Sequence, residues 1–418
     1  MLRVVVDPQA ELPDIVLQYL GHLRKIDQGV RVFRRVPGPD LPEVGDYEVI
    51  PPGPETGGEY AGVREHRETG IALIGVPYAR NNVLAAFNWA EHEGFDPDAA
   101  RARQLDAEAA RSLNADVYAT DNVFLLNRRN AHSALAILDA MAVIGLHQRA
   151  RGRVVLDGSL DGLVTTWQAE MMQSRVLLPG TSALFAEDTR TPGKGAVRLV
   201  GAATQRLGKA LSARDKLLLS SLQRHRSFGV DAPEDSIERV VVALQGMFDS
   251  LARAVNACLP APQPAHYVSF GSKSFRRQIP PETRLIIAEA QFTALREVIS
   301  ALRNTVHHEP VGAASDDVNG RVERLVTLPR SVAEPFNLAV EQLGRRERWI
   351  AHDLEPYGLA LRPTVLAQDL IEAAASIANR IIETVPRDQG ASTERPGERT
   401  DWLNDPLLLK VNRLLYGI

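Results

Sequence analysis

Cysteine is almost missing from this sequence, since Cys258 is the single one among 418 residues. One thiol excludes an intrachain disulfide framework and a zinc site made of several cysteines. Scarce cysteine is also usual in proteins of the reducing cytosol, where disulfides rarely persist. We therefore expect a cytoplasmic protein.

Long apolar runs are missing too, and no segment approaches the roughly 20 apolar residues that a membrane-spanning helix requires. The first residues, from Met1 to Asp7, predict a strand and lack the basic region and apolar core of a secretory signal. Hydrophobic residues nevertheless make up 44% of the chain, which is enough for packed interiors. Because 418 residues exceed what one core usually organises, we expect more than one domain and no membrane partner.

An excess of positive charge is missing as well, because the formal net charge is −4 at pH 7. This charge argues against broad coating of nucleic acid, which uses many Lys and Arg contacts to phosphate. It is compatible with a local nucleic-acid site, although ordinary solvated surface explains the basic residues equally well. These residues cluster at Arg224-His225-Arg226, at Lys273 with Arg276-Arg277, and at Arg345-Arg346 with Arg348.

Familiar catalytic motifs are missing from the sequence. It contains no His-Glu-x-x-His pattern, nucleophile elbow or dinucleotide fingerprint. The loop of residues 267–274 is rich in Ser and Gly, as phosphate-binding loops are, but it lacks the spacing of a Walker loop. Trp349, beside several arginines, fits either base stacking or a core position.

Strand-like and helix-like segments alternate over residues 1–150, which predicts an α/β domain. Three carboxylates stand out there: Asp7 after the first strand, Asp106 in an alanine-rich helix, and Asp121 after the strand of residues 117–119. Carboxylates at the C-terminal ends of parallel strands converge at one sheet edge, where they could hold Mg²⁺ or Mn²⁺ for phosphodiester hydrolysis. Asp and Asn at strand ends are also ordinary turn residues.

The early Asp, the helical Asp and the Thr120-Asp121 strand end together resemble a PIN-type nuclease domain. Two features depart from that family. No residue separates Thr120 from Asp121, and the Pro- and Gly-rich passage over residues 36–58 obscures the central acidic position. The resemblance implies either a metal-dependent nuclease or an inactive PIN-like fold.

Residues 233–388 have the periodicity of a helical bundle, with helices predicted over 236–258, 281–308, 330–343 and 364–385. In the second of these helices, apolar residues recur at steps of three and four from Leu285 to Val306. Residues 151–232 are a connector of mixed character. Residues 389–418 are expected to form a linker and a terminal helix. The predicted fold class is thus multidomain, with an α/β part followed by an all-α part.

The sequence Leu302-Arg303-Asn304-Thr305-Val306-His307-His308-Glu309-Pro310 ends the second predicted helix. Its Arg303-Asn304-x3-His308 pattern resembles the Arg-x(4–6)-His signature of the HEPN superfamily, whose active members are mostly ribonucleases. At about 100° per residue, His307 lies roughly 40° around the helix from Arg303 and His308 roughly 140°. Pro310 disfavours helix at Glu309, so we expect the last turn to loosen and bring His308 back toward Arg303. We prefer His308 as the catalytic residue and keep His307 as an alternative or an orienting group.

The resemblance implies a metal-independent endoribonuclease that needs no cofactor at this site. The RNA 2′-hydroxyl would attack the adjacent phosphorus, with His308 as general acid or base and Arg303 stabilising the phosphorane. Asn304 would orient the phosphate or the imidazole. HEPN ribonucleases build their site from two facing copies of the motif, which implies a homodimer. Two nuclease-like domains in one chain also resemble prokaryotic defence or toxin systems, with an antitoxin or another defence protein as partner.

Two other interpretations stay open. The chain is compatible with a non-catalytic RNA- or nucleotide-binding scaffold, and with a metal-dependent nuclease whose chemistry lies in the N-terminal carboxylates. Arg and His at a helix C-terminus also stabilise its last carbonyls without any catalytic role.

Overall fold

The computed structural model describes residues 1–25, 29–33, 35, 47–50, 61–67, 70–76, 80–127, 133–151, 154–155, 163–164, 177–178, 194–222, 232–308, 312–318 and 321–385. The structural findings refer to these residues. The chain forms two compact units, one holding the described residues of Met1–Gln148 and the other those of Val164–Glu398. Most of the predicted connector and all of the predicted terminal segment 389–418 lie outside the described residues.

The first unit alternates strands and helices. In chain order its elements are β1 (Leu2–Val6), α1 (Asp14–Lys25), β2 (Val30–Phe33), β3 (Tyr47–Ile50), β4 (Ala61–Arg67), β5 (Gly70–Val76), α2 (Arg80–Glu93), α3 (Pro97–Ser112), β6 (Val117–Ala119), α4 (Val123–Asn127), β7 (Ala134–Leu135) and α5 (Ile137–Ala150). A two-stranded pair, β8 (Val154–Val155) and β9 (Leu163–Val164), follows in the chain.

A parallel sheet of order β2-β1-β6-β7 organises this unit. Val4 and Val5 of β1 are both fully buried, in two different apolar clusters, because successive side chains of a strand point to opposite faces. Burial on both faces is typical of parallel sheets. The chain passes from β1 to β2 on one side and returns to β6 on the other, so the strand order reverses between β1 and β6. A separate antiparallel sheet contains β3, β4 and β5.

The second unit is mainly helical. In chain order it contains α6 (Lys194–Leu222), α7 (Pro233–Ala257), a short 3-10 helix (Ala265–Tyr267), α8 (Lys273–Arg276), α9 (Pro281–Ala288), α10 (Ala290–His308), β10 (Gly312–Val318), β11 (Arg321–Pro329), α11 (Arg330–Gln342), α12 (Arg346–Trp349), β12 (Ile350–Asp353), β13 (Gly358–Leu361) and α13 (Pro363–Glu383). Pro233 and Pro363 stand in the first turns of their helices, where the missing N–H costs no hydrogen bond. The apolar stripes of α6, α7, α10 and α13 share one core.

Two expectations for this unit need correction. The all-α prediction is wrong on one point, because β10, β11, β13 and β12 form an antiparallel sheet in that order. The sequence of β10, Gly-Ala-Ala-Ser-Asp-Asp-Val, has little β propensity, and it pairs with the next strand, β11, as an antiparallel hairpin. The continuous helix predicted over 281–308 is also wrong, since Glu289 is extended (φ −62°, ψ 143°) and separates α9 from α10. Its carboxylate accepts a hydrogen bond from Arg380 of α13 at 2.7 Å. The broader expectation of α/β and helical parts in one chain is confirmed.

Candidate functional site

The three predicted carboxylates lie around the C-terminal ends of β1 and β6. Asp7 follows β1, and its backbone N–H donates to the carbonyl of Ala119, the last residue of β6. Asp121 follows β6 by two residues, and Asp106 stands on the fully buried side of α3. This edge is where the strand order reverses, and such switch points are the usual ligand crevices of parallel sheets. The structure thus brings together residues that lie about a hundred positions apart in the chain.

Arg103, a residue that the sequence did not single out, lies between Asp7 and Asp121. Its Nε and Nη2 donate to Asp7 Oδ2 at 3.0 and 2.7 Å, and its Nη2 also pairs with Asp121 Oδ1. Thr120 donates to the same Asp7 oxygen at 2.5 Å. Burial lowers the pKa of Arg103, but its hydrogen bonds to Asp121 and Asp7 outweigh burial and raise that pKa. Asp7, only 1% exposed, therefore has its charge compensated by a guanidinium.

Asp106 differs from Asp7 in its partner and in the effect of burial on its pKa. Arg35 Nη1 lies 2.9 Å from both of its oxygens, with hydrogen-bond geometry only toward Oδ2. Burial raises the pKa of Asp106 from 3.8 to about 7, and the nearby charge of Asp7 adds to this effect while Arg35 opposes it. Burial also raises the pKa of Tyr118, whose hydroxyl has no hydrogen-bond partner within the described residues. Burial therefore favours the protonated form of the Asp106 carboxyl.

The residue types at this sheet edge are those that bind a divalent cation, so their present partners decide whether such an ion fits. Both oxygens of Asp7 accept hydrogen bonds, Oδ1 from the Gln9 N–H at 3.0 Å and Oδ2 from Arg103 and Thr120. The described residues contain no group of three or more His, Cys, Asp or Glu side chains arranged to hold a metal. As arranged, Asp7 and Asp121 hold the Arg103 guanidinium in place of a metal ion. The metal role of Asp7, Asp106 and Asp121 stays a prediction, and no chemical step is derived through it.

The second predicted site lies at the end of α10. Arg303 and Asn304 are exposed, whereas Thr305 is buried and donates from Oγ1 to the carbonyl of Ala301 at 3.0 Å. The side chains of His307 and His308 lie outside the described part of the structure. The helix itself continues through His308, so the loosening expected before Pro310 does not occur inside α10. Within the described residues, Arg303 has no hydrogen-bond or ion-pair partner.

A cleft of about 520 Å³ runs between α10 and the first turns of α11. It is lined by Arg296, Glu297, Ser300, Ala301, Asn304, Thr305, Ser331, Val332 and Pro335. At about 100° per residue, the lining positions of α10 span an arc of roughly 180° that starts at Arg296. Measured around the helix axis from Arg296, position 307 lies at about 20° and position 308 at about 120°, so both are within this arc. Position 303 lies about 20° outside it. The motif therefore continues one wall of the cleft by a further turn.

The cleft favours anions. Ser331 and Val332, in the first turn of α11, line the cleft, and this positive end of the helix dipole has no side-chain cap and no acidic residue in its first turn. Arg296 and Glu297, on the opposite wall, contribute one positive and one negative charge, so the side chains of the lining carry no net formal charge. The preference for an anion therefore comes from the N-terminus of α11.

The other residues that the sequence suggested for binding nucleic acid are Trp349 and the basic clusters. Trp349 is 1% exposed and donates from Nε1 to Asp369 Oδ2 at 2.8 Å, so it is a core residue and is not available for base stacking. Arg348 also pairs with Asp369, at 2.8 Å. The basic cluster of residues 224–226 lies outside the described residues.

No helix of the described chain combines the length and the apolar character needed to cross a lipid bilayer. Comparison of the chain with family models, with curated proteins and with solved structures yields no match. The two sites above are therefore interpreted from their own geometry and chemistry.

Proposed function

We propose that this protein is a metal-independent endoribonuclease of HEPN type that acts as a homodimer. The most direct support is the cleft beside α10, because its wall includes Asn304, its arc contains position 308, and Arg303 stands exposed at its border. Arg303 and Asn304 supply a guanidinium and an amide, and the sequence supplies two imidazoles, at positions 307 and 308; these are the groups that RNA cleavage without metal requires.

In the proposed reaction, the 2′-hydroxyl of RNA attacks the neighbouring phosphorus and the 5′-oxygen leaves. The products are a 2′,3′-cyclic phosphate and a free 5′-hydroxyl. Arg303 donates two parallel hydrogen bonds to the phosphorane oxygens, a geometry that Lys reproduces poorly. His308 transfers a proton, which typically contributes on the order of 10² to 10⁴ in rate. One motif supplies too few groups for both acid and base, so the second copy comes from a partner protomer.

The test is cleavage of a labelled RNA by wild type, Arg303→Ala and His308→Ala, each with and without EDTA. We expect wild-type activity to survive EDTA, to end in a 2′,3′-cyclic phosphate, and to fall at least about 100-fold in both variants. Arg253→Ala, an exposed change on α7, is the matched control. An RNA with a 2′-deoxy group at the cleaved position should resist. Full activity in Arg303→Ala would contradict the proposal.

A second candidate is a metal-dependent nuclease at the N-terminal sheet edge. Its support is the convergence of Asp7, Asp106 and Asp121 at the switch point between β1 and β6. Cleavage that stops in EDTA and survives in Arg303→Ala would favour this candidate. Binding of RNA without any cleavage would favour the scaffold interpretation. The defence or toxin role, with its antitoxin partner, is part of the same proposal and rests on resemblance.

A further inference from the structure

Two neighbouring guanidinium groups, Arg296 in the lining of the cleft and Arg276 outside that lining, have no role in the cleavage step described above. We propose that Arg276 and Arg296 form a phosphate-binding subsite that holds the backbone of single-stranded RNA away from the cleaved linkage. This inference rests on the proposed function for the identity of its ligand. Arg296 and Arg303 are seven residues apart on α10, which corresponds to about 10 Å along the helix axis.

Both side chains converge on the same short turn. Arg276 Nε donates to the carbonyl of Phe270. Nη1 of Arg296 lies 2.7 Å from the position that a Cβ at Gly271 would occupy. Only glycine at position 271 lets the Arg296 guanidinium lie this close to the turn. The Arg276 guanidinium is thus fixed by the carbonyl of Phe270, and the absence of a side chain at Gly271 leaves room for that of Arg296 beside the same turn.

Placing two like charges side by side is unfavourable unless an anion lies between them. Burial, and then the charge of Arg296, lower the pKa of Arg276. Within the described residues neither guanidinium has a carboxylate partner. Glu297 lines the cleft beside Arg296, but no ion pair between these two residues is found in the described chain. Apart from Arg276 Nε, which donates to Phe270, the N–H groups of the pair therefore have no carboxylate partner among the described residues and can bind a ligand.

The surrounding sequence adds to this charge. No Asp or Glu occurs from Ser250 to Pro281, whereas Lys273 and Arg277 flank Arg276. Both flanking side chains are exposed. Guanidinium groups bind phosphate through paired hydrogen bonds, and contacts to phosphate position a nucleic acid without selecting its sequence. The ligand expected here is the RNA backbone, independent of base identity.

The experiment uses full-length protein and a fluorescent 2′-O-methyl RNA, which lacks the attacking hydroxyl and stays intact during titration. Anisotropy gives Kd at several KCl concentrations. For Arg276→Gln/Arg296→Gln, we expect Kd to rise about tenfold or more at low salt. The slope of log Kd against log[KCl] should fall by about 1.4, the value for two phosphate contacts on a single strand. Gly271→Ala should weaken binding as well, because it displaces the Arg296 guanidinium without changing any charge.

The control Arg198→Gln/Arg253→Gln removes two exposed positive charges from α6 and α7 and should leave Kd and the slope near wild type. If the three variants at positions 271, 276 and 296 all bind like wild type, the subsite is overturned. Cleavage of ordinary RNA separates this failure from that of the proposed function. A wild type that cleaves RNA while these variants bind normally contradicts only the subsite. A wild type that binds but never cleaves, with binding lost in the variants, supports the subsite and contradicts the nuclease. Absence of binding by the wild type contradicts both.

Discussion

Arg103 donates two hydrogen bonds to one oxygen of Asp7, from Nε at 3.0 Å and from Nη2 at 2.7 Å. Because Asp7 is 1% exposed, this contact decides whether its charge is tolerated inside the N-terminal unit. The same guanidinium also pairs with Asp121, so it joins the ends of β1 and β6. Asp7 and Asp121, which predict a metal site in the sequence, thus surround a cation of the protein itself, the Arg103 guanidinium.

Arg103→Ala should destabilise the N-terminal unit strongly. The change leaves the buried Asp7 carboxylate without its partner, a loss that typically costs about 3–5 kcal/mol. Urea unfolding at neutral pH measures the effect, with Arg101→Ala, an exposed change on the same helix, as control. Equal midpoints for the two variants would show that the Arg103 contact contributes nothing to stability.

Mn²⁺ should stabilise Arg103→Ala more than it stabilises wild type. In wild type the guanidinium occupies the space between Asp7 and Asp121, and its removal frees carboxylate oxygens that are hard ligands for such ions. Thermal unfolding with and without MnCl₂ measures the difference. Arg103→Ala/Asp7→Asn serves as the control that removes a ligand. Tight Mn²⁺ binding by wild type would instead show that Arg103 moves aside, which would revive the metal-dependent candidate.

Asp106 should make the N-terminal unit less stable as the pH rises from about 4 to 7. Burial raises its folded pKa to about 7, so in this window the folded state binds a proton that the unfolded state has already released. The stabilisation is complete below the unfolded pKa of about 3.9 and is lost as the pH passes through the folded pKa. Between pH 5 and 8 the loss is on the order of 2–3 kcal/mol, since one pKa unit corresponds to about 1.36 kcal/mol.

The test variant for this prediction is Asp106→Asn, which cannot titrate. Its stability relative to wild type should rise from pH 5 to pH 8, whatever the constant cost of losing the charge pair with Arg35. Glu91→Gln, an exposed change on α2, should follow wild type at each pH. A difference between Asp106→Asn and wild type that is the same at pH 5 and pH 8 would contradict the raised pKa.

The two histidines should differ in how they affect cleavage. Positions 307 and 308 both lie within the arc of α10 that lines the cleft, and the spacing of the motif that the chain resembles selects position 308. His308→Ala is therefore expected to lower kcat at least about 100-fold, and His307→Ala to act mainly on KM. Single-turnover cleavage at saturating protein separates the two effects. The reverse result would assign the proton transfer to His307.

Much of the secondary structure could be predicted from periodicity alone. The predicted strand at residues 117–119 coincides with β6, and the helix predicted over 330–343 differs from α11 by one residue at its end. Local patterns suffice there because each element buries one apolar face. The break at Glu289 was missed because its extended backbone accompanies an ion pair with Arg380 on a distant helix. The sheet of β10 to β13 was missed because β10 has little β propensity and because β11 pairs with the distant strand β13, where Val326 lies opposite Leu361.

The candidate site residues also divide into those found from local sequence patterns and those missed because their role depends on distant contacts. Asp7, Asp106 and Asp121 were found from residue type and position relative to predicted strands, but Arg103 was not, because one Arg on a polar helix surface has no local signal. Arg296 was missed likewise, since its significance lies in its approach to Gly271.

Composition and hydrophobic period by themselves determined that this chain has an α/β part and a helical part, and which residue types stand at the strand and helix ends. The division into two parts and the residue types at the element ends depend only on short-range patterning and on burial of apolar faces. Tertiary structure decided that Arg103 fills the carboxylate crevice and that α10 and α11 enclose an anion-favouring cleft next to Arg303. Those features depend on which side chains, distant in the sequence, come into contact in the folded chain. Only these contacts decide whether a charge in a low-dielectric interior is compensated.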